Sequence, residues 1–248
     1  MTKKLDKHKL YLMKIRSKSS LLETPINAHE RLLVGALLAI VGGYLDAFTY
    51  TCHGGVFANA QTGNMVLLAV NMFGANLKAP INYLAPILAF AVGVLLSEYL
   101  HRRRRFFGAF LWRQAVLVIE MIVILLIGFM PTTFPSLPIN VAISLVTAMQ
   151  MNSFRRVLNL PYATTVATGN LRAMMENVAK VIFDHDRKAL THVFHYGSII
   201  AMFVLGAILG FLVSKDLQNA AIFLTLPIFL ALLIIIRDHK KFEGGSEL

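Results

Sequence analysis

The sequence predicts an all-α integral membrane protein: six transmembrane helices as a 3+3 inverted repeat, plus two short re-entrant or interfacial helices. Three observations predict it. Of the 248 residues, 56% are hydrophobic and 15% charged, whereas a soluble domain carries about 25% charged residues. The basic residues, which give a net charge of +11, stand in clusters beside apolar runs, as in chains oriented across a bilayer. Short motifs recur in the same order in the two halves of the chain.

Composition also excludes alternatives. Mean hydropathy is +0.64, incompatible with a disordered chain, which is poor in apolar residues. A single cysteine, Cys52, cannot form an internal disulfide or a usual thiolate metal site. The basic excess would suggest nucleic acid in a soluble protein; beside apolar runs it reads as orientation, so no nucleic-acid partner is expected.

Residues 1–30 are polar and basic, with no apolar core or cleavage site of a signal peptide. They read as a cytoplasmic tail, with an interfacial amphipathic helix as the alternative. Runs long enough to span, about 17–25 residues, are Leu32–Tyr50, Leu84–Leu100, Gln114–Met130, Ile139–Phe154, His192–Val213 and Asn219–Ile236. Gln61–Asn76 and Thr168–Phe183 are doubtful, the second because Arg172, Glu176 and Lys180 are costly in lipid. If only the six long runs cross, the basic clusters at 101–105, 155–156, 187–188 and 237–241 all fall on the side of the tail. Only Lys78 and Lys215 then face outward. Both termini are therefore expected in the cytoplasm, and the doubtful segments enter and leave one face.

The repeat gives the parity. Asp46-Ala47-Phe48 followed by Gln61-Thr62-Gly63-Asn64 corresponds to Asn152-Ser153-Phe154 followed by Ala167-Thr168-Gly169-Asn170, roughly 106 positions later. Phe90-Ala91-Val92-Gly93 resembles Phe203-Val204-Leu205-Gly206. The membrane domain is thus 31–237, with repeat 1 at about 31–130, repeat 2 at about 138–237 and a second cytoplasmic tail at 238–248. Three crossings per half is odd, so the halves have opposite orientation. Secondary transporters and some channels share this arrangement, with sites near the midplane. Small residues four apart (Gly35, Ala39, Gly43, Ala47; Ala85, Ala89, Gly93, Ser97) predict close static helix packing.

Within this frame a few polar residues stand out. The uncharged stretch Cys52–Asn64, which includes Asn59 and Gln61, ends in Thr62, expected to cap a helix starting near Gly63. Non-helical backbone within the membrane must be buried in protein or line a cavity. Thr62-Gly63-Asn64 and Thr168-Gly169-Asn170 are therefore read as opposed helix starts able to receive a polar or anionic solute; the alternative is a capping turn. Asp46 is the expected proton-sensitive group, because an ionisable residue in a membrane helix signals function by default. Otherwise it is hydrogen-bonded to the adjacent loop and holds it down. Glu120 lies mid-run, and Gln150 and Asn152 read as polar lining. Arg172 and Glu176, four apart, suit a helix-surface pair.

Asp46-Ala47-Phe48, Phe57…Gln61-Thr62-Gly63-Asn64, Gln150-Met151-Asn152-Ser153 with Arg155-Arg156, and Thr168-Gly169-Asn170 together resemble the YoaK family, over roughly residues 30–237. The resemblance implies a bacterial integral membrane protein of about this size, hence the plasma membrane, and no settled activity. No phosphate loop or nucleotide motif occurs, and the counterpart of Asp46 is Asn152, so a two-carboxylate intramembrane protease is excluded. No enzyme, cofactor or metal is expected. The sequence points to a secondary transporter or channel for a small polar or anionic solute, proton-coupled through Asp46. The alternative is a non-transporting scaffold that binds lipid or a membrane partner.

Overall fold

The computed structural model describes residues 31–73, 79–103, 111–157, 160–161 and 167–237. The expected tails and Lys78, Arg104 and Arg105 lie outside the described residues. Helices are α1 (Leu32–Cys52), α2 (Gln61–Met72), α3 (Ala79–Arg102), α4 (Leu111–Gly128), α5 (Ser136–Ser153), α6 (Ala167–Phe183), α7 (Arg187–Leu217) and α8 (Leu226–Arg237), with a 3₁₀ segment, Gln218–Thr225, between the last two. A two-residue antiparallel ladder, β1 (Arg156–Val157) with β2 (Leu160–Pro161), was not expected from the sequence; so short a pairing leaves no alternation to read.

Among the described residues, three stretches are long and apolar enough to cross a membrane: Leu32–Cys52, Pro80–Arg102 and Arg187–Ile236. The last contains α7, the 3₁₀ segment and α8. Much apolar surface remains outward-facing, including Leu95, Leu126 and Ile234, as a hydrocarbon solvent permits. Apart from that two-residue ladder, the described residues make a helical membrane protein.

α1 is the central helix. Val34, Leu38, Val41, Leu45 and Phe48 are fully buried and join Leu117 and Ile124 of α4, Ile139 and Ile143 of α5, and Phe229 and Leu232 of α8 in one core. It stops at Cys52 because Gly54 (φ +82) and Gly55 (φ +72) take the left-handed conformation, which glycine adopts without a Cβ penalty.

α1 packs most extensively on α7, and α3 on α5. In the first seam Gly43 lies against the carbonyl of Phe203, Gly206 against that of Ile40 and Gly210 against that of Tyr44. In the second, Gly93 lies against the carbonyl of Leu145, and Ser97 Oγ donates to Met149 O at 3.2 Å. Contacts this close are open only to very small side chains, so the expected close packing is realised at Gly43, Gly93 and Ser97. In both seams partner residues rise together along the chain. Ile40 meets Gly206 and Cys52 Sγ meets Ser214 O at 3.4 Å, so α1 and α7 run parallel, as do α3 and α5. α4 and α5 form an antiparallel pair, tied by Arg113 Nε donating to Ser153 O at 3.1 Å.

The last expected run, Asn219–Ile236, proves composite. Gln218 has φ 49, which breaks α7. Eight 3₁₀ residues follow, then twelve α-helical ones, about 34 Å of combined rise. Asn219 Nδ2 anchors the break on Met130 O at 3.1 Å, and Tyr44 Oη donates to Ala221 O at 2.6 Å. α7 also starts earlier than expected, because Asp186 caps it by accepting from Lys188 N at 2.9 Å.

Candidate functional site: a buried polar layer around Asp46

Asp46 lies one and a half turns before the end of α1 and is buried. Its Oδ1 accepts from Asn59 N at 2.7 Å. Asn59 closes the arrangement by donating from Nδ2 to Gly42 O at 3.2 Å. The loop after α1 is thus folded back onto its own helix, with Val56, Ala58 and Asn59 buried. Asp46 does hold the loop down, the second of the two roles its position suggested.

The Gln61–Asn64 block secures the same loop from the other side. Asn64 Oδ1 accepts from Phe57 N at 2.9 Å, while its Nδ2 donates to Phe57 O at 2.7 Å and Gln61 Oε1 at 2.9 Å. Gln61 Nε2 donates to Ala58 O at 2.9 Å. A Cβ on Gly63 would come within 2.9 Å of the Phe57 ring, so a larger residue there would have to push the ring aside. Thr62 does not cap: α2 begins at Gln61 without a side-chain cap, and Thr62 is exposed within its first turn. The Asn64 amide supplies the local bonds that the hydroxyl was expected to supply.

Across the bundle, Glu120 of α4 and Gln150 of α5 are both 0% exposed and face each other. Neither the carboxyl oxygens nor the amide atoms reach hydrogen-bond geometry with a partner among the described residues. Asn152 is half-buried and accepts through its carbonyl from Arg155 Nε at 2.9 Å. It lies nearer the end of α5 than Gln150 does. Arg155 also reaches Glu98, at 3.1 Å.

The second repeat motif is placed differently. Asn170 is buried in the first turn of α6, whereas Thr168 and Gly169 are exposed. α2 packs against α3 and α6 against α7, with no comparable α2–α6 packing. The two helix starts are therefore not brought face to face. The Arg172–Glu176 pair forms as expected, at 2.8 Å.

Other residues join the layer without having been singled out. Asn140 Nδ2 donates to His53 O at 2.8 Å, and the His53 ring meets Phe48 edge-on at 4.9 Å. Asn140, Ser144 and Thr147, all buried, form a polar stripe at helical spacing in an apolar run, a signal legible in the sequence.

The family model described as Protein of unknown function (DUF1275) matches residues 34–236. The UPF0700 transmembrane protein YoaK of Bacillus subtilis (strain 168) is 24% identical over 218 residues, covering 84% of this chain and 94% of that protein. No solved structure matches.

Proposed function

The chain belongs to the DUF1275 family of proteins of unknown function, and from its geometry we propose a secondary transporter or channel for a small polar or anionic solute. The observation that carries this reading is the Glu120–Gln150 pair: two fully buried polar side chains that face each other and stop short of hydrogen-bond geometry with each other or with any other described residue. Buried polar groups in native proteins are nearly always satisfied, and in membrane helices such groups mark solute or ion pathways. A solute with both donors and acceptors would complete this pair. No chemical conversion of the solute is involved.

The transmembrane frame is six spans in a 3+3 inverted duplication, in the plasma membrane with both termini cytoplasmic. Two findings support it. Gly93 and Gly206, equivalent in the repeat, both press on a carbonyl of the first helix of the other half. In addition, α1 and α7 run parallel, so α2 and α6 must either both cross or both not cross. Twelve residues in α2 rise about 18 Å against a hydrocarbon core of about 30 Å. Neither crosses, and α3, α4 and α5 lie between α1 and α7.

Asp46 supplies the proton coupling. Ionised, it binds the Asn59 amide of the loop; protonated, it loses the charge that strengthens that bond, and the loop is freed. In proteoliposomes, Asp46→Asn retains an acceptor for Asn59 N and is expected to abolish the pH dependence of solute flux with the fold intact. Unchanged pH dependence would refute the coupling role. A scaffold would give no flux for any solute; the solute itself is sought by thermal-shift screening of anions, amino acids and sugars.

A further inference from the structure

α7 has 31 residues, about 46 Å at 1.5 Å each, some 16 Å longer than the hydrocarbon core. Its seam with α1 runs from near Ile199 to Ser214, and the turns from Arg187 to Gly197 precede it. α6 lies against those turns: Met174 Sδ is 3.5 Å from the place of a Cβ on Gly197, and His192 Nδ1 is 3.3 Å from Asn177 Oδ1. The outer side of α6 exposes Leu171, Met175 and Ile182. An amphipathic helix of this kind rests at the membrane surface.

Between α6 and α7 is a cleft of about 490 Å³ whose charged lining is Arg172, Lys180 and Glu176, with Asn177, His192 and Tyr196 beside them. Arg172 is paired with Glu176 at 2.8 Å, so the lining carries a single excess positive charge, that of Lys180. The Asn177 side chain is buried on the cleft wall. A cleft with one net positive charge, next to an interfacial apolar face, matches a singly charged phosphodiester at the level of the lipid headgroups. A dianionic phosphomonoester would leave one charge unmatched, and basic residues at this level attract anionic lipid.

We propose that the α6–α7 cleft binds the phosphodiester headgroup of an anionic phospholipid, with Lys180 and Arg172 as its charge partners and His192 as a hydrogen-bonding partner. This site is separate from the Asp46 layer and is independent of whether any solute crosses.

The test is thermal unfolding of the full-length protein in neutral detergent with added phosphatidylglycerol, phosphatidylcholine or inorganic phosphate, alongside native mass spectrometry of bound lipid. Phosphatidylglycerol is expected to raise the melting temperature of the unsubstituted protein and of the control Lys215→Gln, at the far end of α7. The shift and the retained lipid should be lost in Arg172→Gln/Lys180→Gln and reduced in Lys180→Gln alone, which covers a double variant that fails to fold. The proposal is overturned if the double variant keeps the shift, if phosphatidylcholine matches phosphatidylglycerol, or if inorganic phosphate reproduces the effect, which would mark a free-anion site instead.

Discussion

Replacing Gly206 by alanine tests the central seam directly. In a free helix this change is favourable by about 1 kcal/mol. Here the added Cβ would fall on the Ile40 carbonyl and within 2.8 Å of the Ile40 Cα. Both are backbone atoms of a buried helix and cannot swing aside, so α1 and α7 must separate by on the order of an ångström. A gap of that size forfeits roughly a quarter to a half of each dispersion contact it opens, and overpacking of this kind costs about 1–3 kcal/mol. The net expectation is a loss of roughly 0–2 kcal/mol after the propensity gain is subtracted. Gly197→Ala, in the same helix, is the matched control, because its Cβ meets only Met174 Sδ at an ordinary 3.5 Å. It should be neutral or stabilising by up to about 1 kcal/mol. Reversible unfolding in mixed detergent micelles would measure both. If Gly206→Ala proved as stable as Gly197→Ala, the backbone seam would not be a determinant of stability.

Other expectations follow from single contacts. Asn64→Ala removes three hydrogen bonds and leaves Phe57 N–H and C=O unpaired, so it should cost about 1–3 kcal/mol; Thr62→Ala should stay within about 0.5 kcal/mol. Both are read from the same unfolding titration. Tyr44→Phe, which strips the hydroxyl from Ala221 O, should lower stability by about 1 kcal/mol and raise amide exchange in the 3₁₀ segment; unchanged exchange there would show that Tyr44 does not hold it. Cysteines at Lys78 and Arg103 should react with an impermeant reagent from opposite sides of the membrane. Labelling from one side would refute six spans.

Asp46 was legible because one carboxylate in a long apolar run is expensive and therefore meaningful. Asn59 and a bond from Asp46 to the loop were legible too, but not that the two pair, since their bond spans thirteen positions and depends on an irregular loop. Thr62 was misread because capping rules weigh the hydroxyl, whereas a carboxamide such as Asn64 can bind an amide and a carbonyl together. Glu120 and Gln150 could each be noticed, but only the α4–α5 pairing puts them face to face. Gly206 stood out as a repeat landmark, while Gly210 was seen only once α1 was in place. The 3₁₀ segment could not be read at all: periods of 3.0 and 3.6 are indistinguishable where nearly every residue is apolar.

The α1–α7 seam also has a consequence for biosynthesis. α1 leaves the ribosome first, yet the residues that cover Ile40, Gly43 and Tyr44 lie at 203–210. At about 5–20 residues per second, the groove on α1 waits on the order of ten to thirty seconds for its partner. During that interval the most deeply buried helix of the finished protein stands in lipid with its narrowest face uncovered. Truncation before α7 should therefore leave α1 open to membrane-protein quality control, and a C-terminal half supplied as a separate chain should rescue it.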